Sequence, residues 1–215
     1  MNLQTILLKK FLPFVLLFLT LSVLSMSSTV QKVYYPIFSN FATSVLNNSI
    51  SDTYFKDKPK TAKTDFDYNT IGVLFQSKKV LTAITNEAKR QNVQARYDYQ
   101  GFKLKIDETF IAPLIFFACL LIFTPGSWKN KIVAFIIGTL LILGFAYLIV
   151  YFKGLYMASK SGVRDVQYAA NDINFFKILH FFFSSVTIVT VVLLTWILVS
   201  FRKSDLNKLF TDSVE

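Results

Sequence analysis

The sequence predicts an α-helical integral membrane protein with four transmembrane helices and a small α+β exoplasmic domain between the first and second spans. Of its 215 residues, 53% are hydrophobic. Charged residues make up 17%, below the roughly 25% of ordinary soluble domains. Apolar runs of membrane length alternate with polar stretches. Cations flank several of these runs, as the positive-inside rule describes. They are Lys9, Lys10, Lys129, Lys131, Arg202 and Lys203.

The apolar runs define the predicted boundaries of the chain. The expected spans are residues 11–30, 109–124, 132–152 and 178–201. The expected cytoplasmic parts are residues 1–10, 125–131 and 202–215. The expected exoplasmic parts are the α+β domain at residues 31–108 and a loop at residues 153–177. The lysines of the long domain do not oppose this topology, because long loops translocate largely regardless of charge.

The first apolar run fits two interpretations. As a retained helix it extends from Phe11 to about Val30, roughly the 20 residues that a bilayer requires. As a signal peptide it has a basic start and small residues, Ser25 and Ser27, where cleavage could fall. We favour the retained helix, because the apolar run is long for a signal core and the following residues continue helically without a break.

The exoplasmic domain begins with apolar residues at helical spacing over residues 35–46, followed by a loop-like composition over residues 47–65. Residues 71–75 predict a strand. Ser77 is expected to cap a helix over residues 78–91, which has an apolar stripe on one face. The stripe expected to be buried consists of Val80, Leu81, Ile84 and Ala88.

Alternating apolar and polar residues over 93–106 predict a β-hairpin with its turn at Gln100 and Gly101. That turn would pair Tyr99 with Phe102 and place all the apolar side chains on one face. We expect the hairpin to pack on the preceding helix and to run almost directly into the second span.

The later spans carry fewer signals. The second is short, because its apolar run from Phe110 to Phe123 is about 14 residues or ~21 Å of helix. In the third, Ala134 and Gly138 form a small-xxx-small pair, which predicts close helix packing. The loop after it is expected to hold a short helix around residues 163–170.

The sequence predicts neither a metal site nor a cofactor. Cys119 is the only cysteine and His180 the only histidine, so an intramolecular disulfide is excluded and a cysteine–histidine metal site nearly so. The sequence contains no nucleotide-binding, zinc-protease or hydrolase motif.

The candidate polar site is expected at the outer membrane face. Asp107 and Glu108 at the start of the second span could bind a cation or a substrate, or simply complement the helix dipole. Arg164 beside Asp165 could bind an anionic group or form a solvated ion pair with its neighbour.

The fourth span adds a polar face. Lys177, His180, Ser184 and Thr187 follow the spacing of one helix side. They could form a groove for a headgroup, a proton or a partner. The alternative is a snorkelling lysine, an interfacial histidine and hydroxyls bonded to helix carbonyls.

The favoured function is a non-enzymatic membrane accessory or scaffold protein that presents its exoplasmic domain to a partner in a cell-envelope complex. The alternatives are an outer-surface membrane enzyme acting on a lipid-linked or envelope substrate, and a small oligomeric transporter. The net charge of +10 favours contact with the lipid bilayer over nucleic acid, because many cations flank apolar runs. The abundance of Phe, Ile, Lys and Asn is typical of an AT-rich bacterial genome, so we expect a bacterial inner (plasma) membrane. Oligomerisation stays open.

Overall fold

The computed structural model describes residues 11–58, 69–124, 127–164, 168–183 and 185–200. Its elements, in chain order, are α1 (Leu12–Ser25), α2 (Ser28–Ser49), β1 (Thr53–Asp57), β2 (Thr70–Ser77), α3 (Lys78–Gln91), β3 (Gln100–Lys105), a π-helical turn (Asp107–Ile111), α4 (Ala112–Phe123), α5 (Trp128–Lys160), α6 (Ala170–Phe182) and α7 (Ser185–Ser200). The chain divides into two compact units. Unit 1 comprises Met1–Ser27, Glu108–Ala146 and Ser185–Glu215, and unit 2 comprises Ser28–Asp107 and Tyr147–Ser184.

Unit 2 contains an antiparallel three-stranded sheet in the order β1-β2-β3. Alternate residues of the strands point to one face, and their apolar side chains are buried there. These are Phe55, Ile71, Val73, Phe75, Phe102 and Leu104. Helix α2 packs against β1 and β2 and buries Ala42, Val45 and Leu46. The sheet and α2 therefore form the core of the α+β unit.

Strand β1 lies within the stretch for which the sequence predicted only a loop, so that prediction is wrong for Thr53–Asp57. The side chain of Asn47 accepts from the Phe55 N–H at 2.9 Å and donates to the Phe55 carbonyl at 2.7 Å. The Tyr35 hydroxyl donates to the Asp57 carboxylate at 3.0 Å. These partners on α2 hold the edge strand, and local composition does not reveal them.

The strand and helix predicted next are both present. The strand extends over Thr70–Ser77, and α3 occupies residues 78–91 as expected. The Val80 N–H donates to the Ser77 hydroxyl at 3.2 Å, which is the predicted cap. The expected stripe is buried less than predicted. Leu81, Ile84 and Ala88 are half-buried, and Val80 is 41% exposed.

The predicted β-hairpin over residues 93–106 is wrong. Strand β3 pairs with β2, so that Phe102 lies opposite Val73, and Gly101 lies within the strand. Residues 93–99 form no strand, and Val93 is 57% exposed. Alternation determines which face a residue occupies but does not identify the partner strand. Pairing with the central strand brings the Phe102 ring to 6.0 Å from that of Phe75, between centroids.

Unit 1 is built from helices. Its buried cluster consists of Phe117, Leu121, Ala134, Ile142 and Val192. The Phe117 ring lies against Gly138, where an added Cβ would overlap the ring. The pair Ala134 and Gly138 thus contributes to the contact between α5 and α4. The Trp196 indole N–H donates to the Thr124 hydroxyl at 2.7 Å, which ties α7 to the end of α4.

By length and hydropathy, one described helix, α5, could cross a membrane, and a second candidate arises only if α1 and α2 count as one broken span. The expected first span has no continuous helix, since α1 ends at Ser25. There the Ser25 hydroxyl donates to the Ser22 carbonyl at 2.7 Å, a local bond that competes with helix continuation. The four-span arrangement therefore stays a prediction.

Two further boundaries differ from the prediction. Helix α5 continues to Lys160, beyond the expected end of the third span at residue 152. The expected fourth span is divided, because α6 ends at Phe182 and α7 begins at Ser185. Of the short helix expected at residues 163–170, the described residues Val163, Arg164, Tyr168 and Ala169 are not helical.

Candidate functional site

The C-terminal half of α5 is part of the core of unit 2. Gly154 lies against Leu46 of α2 so closely that an added Cβ would overlap the leucine side chain. The hydroxyls of Ser49 and Tyr147 form a hydrogen bond of 2.6 Å. Leu155 and Ala158, one turn apart, are also buried. The α+β unit is therefore completed by the end of the longest helix.

An ion pair joins the segment after α2 to the segment after α5. The Arg164 guanidinium donates through Nε to Oδ2 of Asp52 at 2.9 Å and through Nη2 to Oδ1 at 3.0 Å. The side chains are only 9% and 13% exposed, respectively. The Arg164 guanidinium carbon also lies 4.8 Å from the centre of the Tyr168 ring. Asp165, the partner expected from the sequence, lies outside the described residues.

The charge of Arg164 governs the ionisation of Asp52. Burial alone would raise the pKa of Asp52, but the hydrogen bonds and positive charge of Arg164 outweigh burial, so the pKa lies below its ordinary value. The Arg164 Nη1 atom is buried and has no hydrogen-bond partner among the described residues. Asp52 and Arg164 thus form a bidentate ion pair with charge-assisted hydrogen bonds, which hold both side chains in place.

His180 lies in an aromatic ladder between α5 and α6. The Phe152 ring stacks on Phe183 with centroids 5.1 Å apart and planes at 10°, and the Tyr156 ring stacks on His180 at 5.9 Å and 20°. The Lys160 ammonium lies 5.8 Å from the Tyr156 centroid. Tyr156 follows Phe152 by one turn on α5, whereas its partner His180 precedes Phe183 in the chain. These two helix segments therefore run antiparallel. His180 is therefore a packing residue of this ladder.

Lys177 and His180 lie on α6, which ends at Phe182, whereas Thr187 lies on α7, so these residues do not share one continuous helix. Ser184 and the side chain of Thr187 lie outside the described residues. Lys177 is exposed, whereas His180 is half-buried on Tyr156. The face of α6 that contacts other rings carries Phe176 and His180 instead.

Asp107 and Glu108 lie in the first turn of the helical segment that follows β3. The Asp107 N–H donates to the Asn69 side chain at 3.0 Å, and the Ile106 N–H donates to the Asn69 carbonyl at 2.7 Å. The widened π-helical turn precedes Pro113, whose ring would crowd the carbonyl four residues earlier in a regular α-helix. This position is the one expected for acids that complement a helix dipole. Within the described ranges, no group of three His, Cys, Asp or Glu residues could hold a metal ion.

Sequence reasoning missed Asp52, Asn47 and Tyr156. Asp52 lies 112 residues from Arg164, and no local pattern connects the two. Tyr156 offered a usable signal, because it follows Phe152 by four residues and so shares its helix face.

No protein-family model matches this chain, and neither a curated protein nor a solved structure matches it.

Proposed function

We propose that the chain is a non-enzymatic integral membrane accessory protein of the bacterial inner membrane. It presents its α+β unit to a protein partner in a cell-envelope complex. The observation that carries this proposal is the packing of α2 on the C-terminal half of α5, through Leu46 and Gly154. Since α5 is long and apolar enough to cross a membrane, the folded unit is built on the end of a candidate span.

The contacts of the polar residues support a non-enzymatic function. Arg164 is occupied by Asp52, His180 is stacked on Tyr156, and Asp107 lies at a helix start beside Asn69. Each contact gives its side chain a role in the fold. We infer that the unit acts by recognition through its surface.

Affinity purification of the tagged full chain in mild detergent tests this proposal. We expect one membrane or envelope protein to co-purify at a fixed ratio. The His180→Ala and Glu108→Gln variants should retain it, because neither side chain takes part in catalysis under this proposal. A chain that is stable alone, with no partner in crosslinking, would refute the proposal.

A further inference from the structure

The sheet of unit 2 has a second face, opposite the one that α2 covers, and lysines dominate it. The strand residues that alternate with the buried core include Lys56 on β1 and Lys103 and Lys105 on β3. Lys58 extends β1 by one position, because its N–H donates to the Gly72 carbonyl at 2.7 Å. We call these four residues the lysine face. The residues of β1, β2 and β3 that point to this side include no acid.

The four lysines form two pairs, one on each edge strand of the sheet. Lys58 is level with Gly72, which pairs with Lys103, so these residues form one row across the sheet. Gly72 has no side chain at the middle of the row, and the Lys58 side chain lies over it, since a Cβ there would approach the Lys58 Cβ to 2.9 Å. The backbones of Lys58 and Lys103 are therefore about two strand spacings, or ~10 Å, apart across the central strand.

Along each edge strand the lysines are two residues apart. Lys56 and Lys58 lie on one edge, and Lys103 and Lys105 lie on the other. Two residues of strand span about 6.7 Å. Lys58, Lys103 and Lys105 are exposed, and Lys56 lies with its ammonium 3.7 Å from the centre of the Tyr99 ring.

This spacing matches an extended polypeptide with acids at alternate positions. Such a segment repeats its side chains on one face every two residues, with the same ~6.7 Å separation as the lysine pairs. Its carboxylates would meet the ammonium groups along one edge of the sheet. Charge complementarity of this kind gives specificity and fast association.

We propose that the lysine face binds an acidic, extended segment of the protein partner. This inference rests on the proposed accessory function and names the chemistry that the partner presents. It places recognition on the sheet rather than on the helical elements of unit 2.

The test uses the full chain in nanodiscs of zwitterionic lipid and a fluorescent peptide with glutamate at every second position. The variant Lys56→Gln, Lys58→Gln, Lys103→Gln should weaken peptide binding about tenfold or more, because each charge contributes modestly and three are lost. The matched control changes three exposed lysines of α3, Lys78, Lys79 and Lys89, to glutamine. We expect its affinity to stay within about twofold of the parent.

Two further binding measurements test the inference, one with a second variant and one with a second peptide. Arginine at the three face positions should retain binding, which separates loss of charge from loss of fold. A peptide of the same composition with its glutamates in adjacent blocks should bind more weakly than the alternating one. Equal binding by the face and control variants would overturn the inference. So would a preference for anionic phospholipid vesicles over the peptide.

Failure of this inference is distinct from failure of the proposed function. If a fixed partner co-purifies and the lysine-to-glutamine face variant still retains it, the accessory function stands and the lysine face is refuted. If no partner co-purifies, the accessory function itself fails.

Discussion

Gly138 allows a close contact between α5 and α4, because the Phe117 ring occupies the space of a Cβ. We expect Gly138→Ala to destabilise the protein by about 1–3 kcal/mol through overpacking. Gly144, on the same helix, has nothing within 4 Å of its Cβ position. Gly144→Ala is the matched control and should be neutral or stabilising. Thermal midpoints in mild detergent would compare the two, and equal midpoints would contradict the observed contact.

Asp52 is the counter-ion of the buried Arg164 guanidinium in unit 2. Asp52→Asn leaves the Arg164 charge buried without its counter-ion, so we expect a loss of about 3 kcal/mol. Asp98 is exposed, and Asp98→Asn should change stability by less than about 0.5 kcal/mol. A double-mutant cycle with Arg164→Gln measures the coupling. Additive losses would show that the two side chains do not interact.

The Asp52–Arg164 ion pair predicts that the stability of the folded protein depends on pH. The pKa of Asp52 in the folded protein lies below its ordinary value of 3.8, so the folded state binds this proton less readily than the unfolded state. The stabilisation from Asp52 is therefore complete above about pH 4 and is lost as the pH falls through the lower folded pKa. The stability difference between the parent and Asp52→Asn should shrink below pH 3.8. A difference that stays constant down to pH 2 would contradict this assignment.

At the scale of elements, β1 depends on Asn47 of α2. Asn47→Ala removes both hydrogen bonds to the backbone of Phe55 and should destabilise the protein by about 1–3 kcal/mol. Hydrogen exchange at the Phe55 amide should accelerate, because that N–H loses its acceptor. Asn48→Ala is the control, since Asn48 is exposed and donates to the Ser44 hydroxyl. Unchanged exchange at Phe55 in the Asn47 variant would contradict the docking of β1.

Elements with a strong local signal were predictable, and those defined by distant partners were not. The helix over residues 78–91 followed from its cap at Ser77 and its apolar spacing. A strand near Phe102 was predicted correctly, but the predicted partner strand was wrong. Strand β3 pairs with β2, which lies well before it in the sequence, and a local pattern does not identify such a partner. The Asp52–Arg164 pair had no sequence signal for the same reason.

At the scale of the whole molecule, apolar runs are visible in composition, but helix breaks are not. Helix α5 includes the predicted third span and continues beyond it to Lys160. Helix α1 ends at Ser25 and α6 ends at Phe182, and hydropathy averaged over a whole span does not reveal such breaks. His180 was recognised as unusual, but its role in the aromatic ladder depends on Tyr156, which composition does not single out.

The central claim is that this chain functions as a subunit bound to a different membrane or envelope protein. Native mass spectrometry of the complex, released from mild detergent after expression in the original host, tests it most directly. We predict a mass equal to this chain plus a fixed, different polypeptide. A spectrum containing only the chain's own mass or whole-number multiples of it would contradict the account.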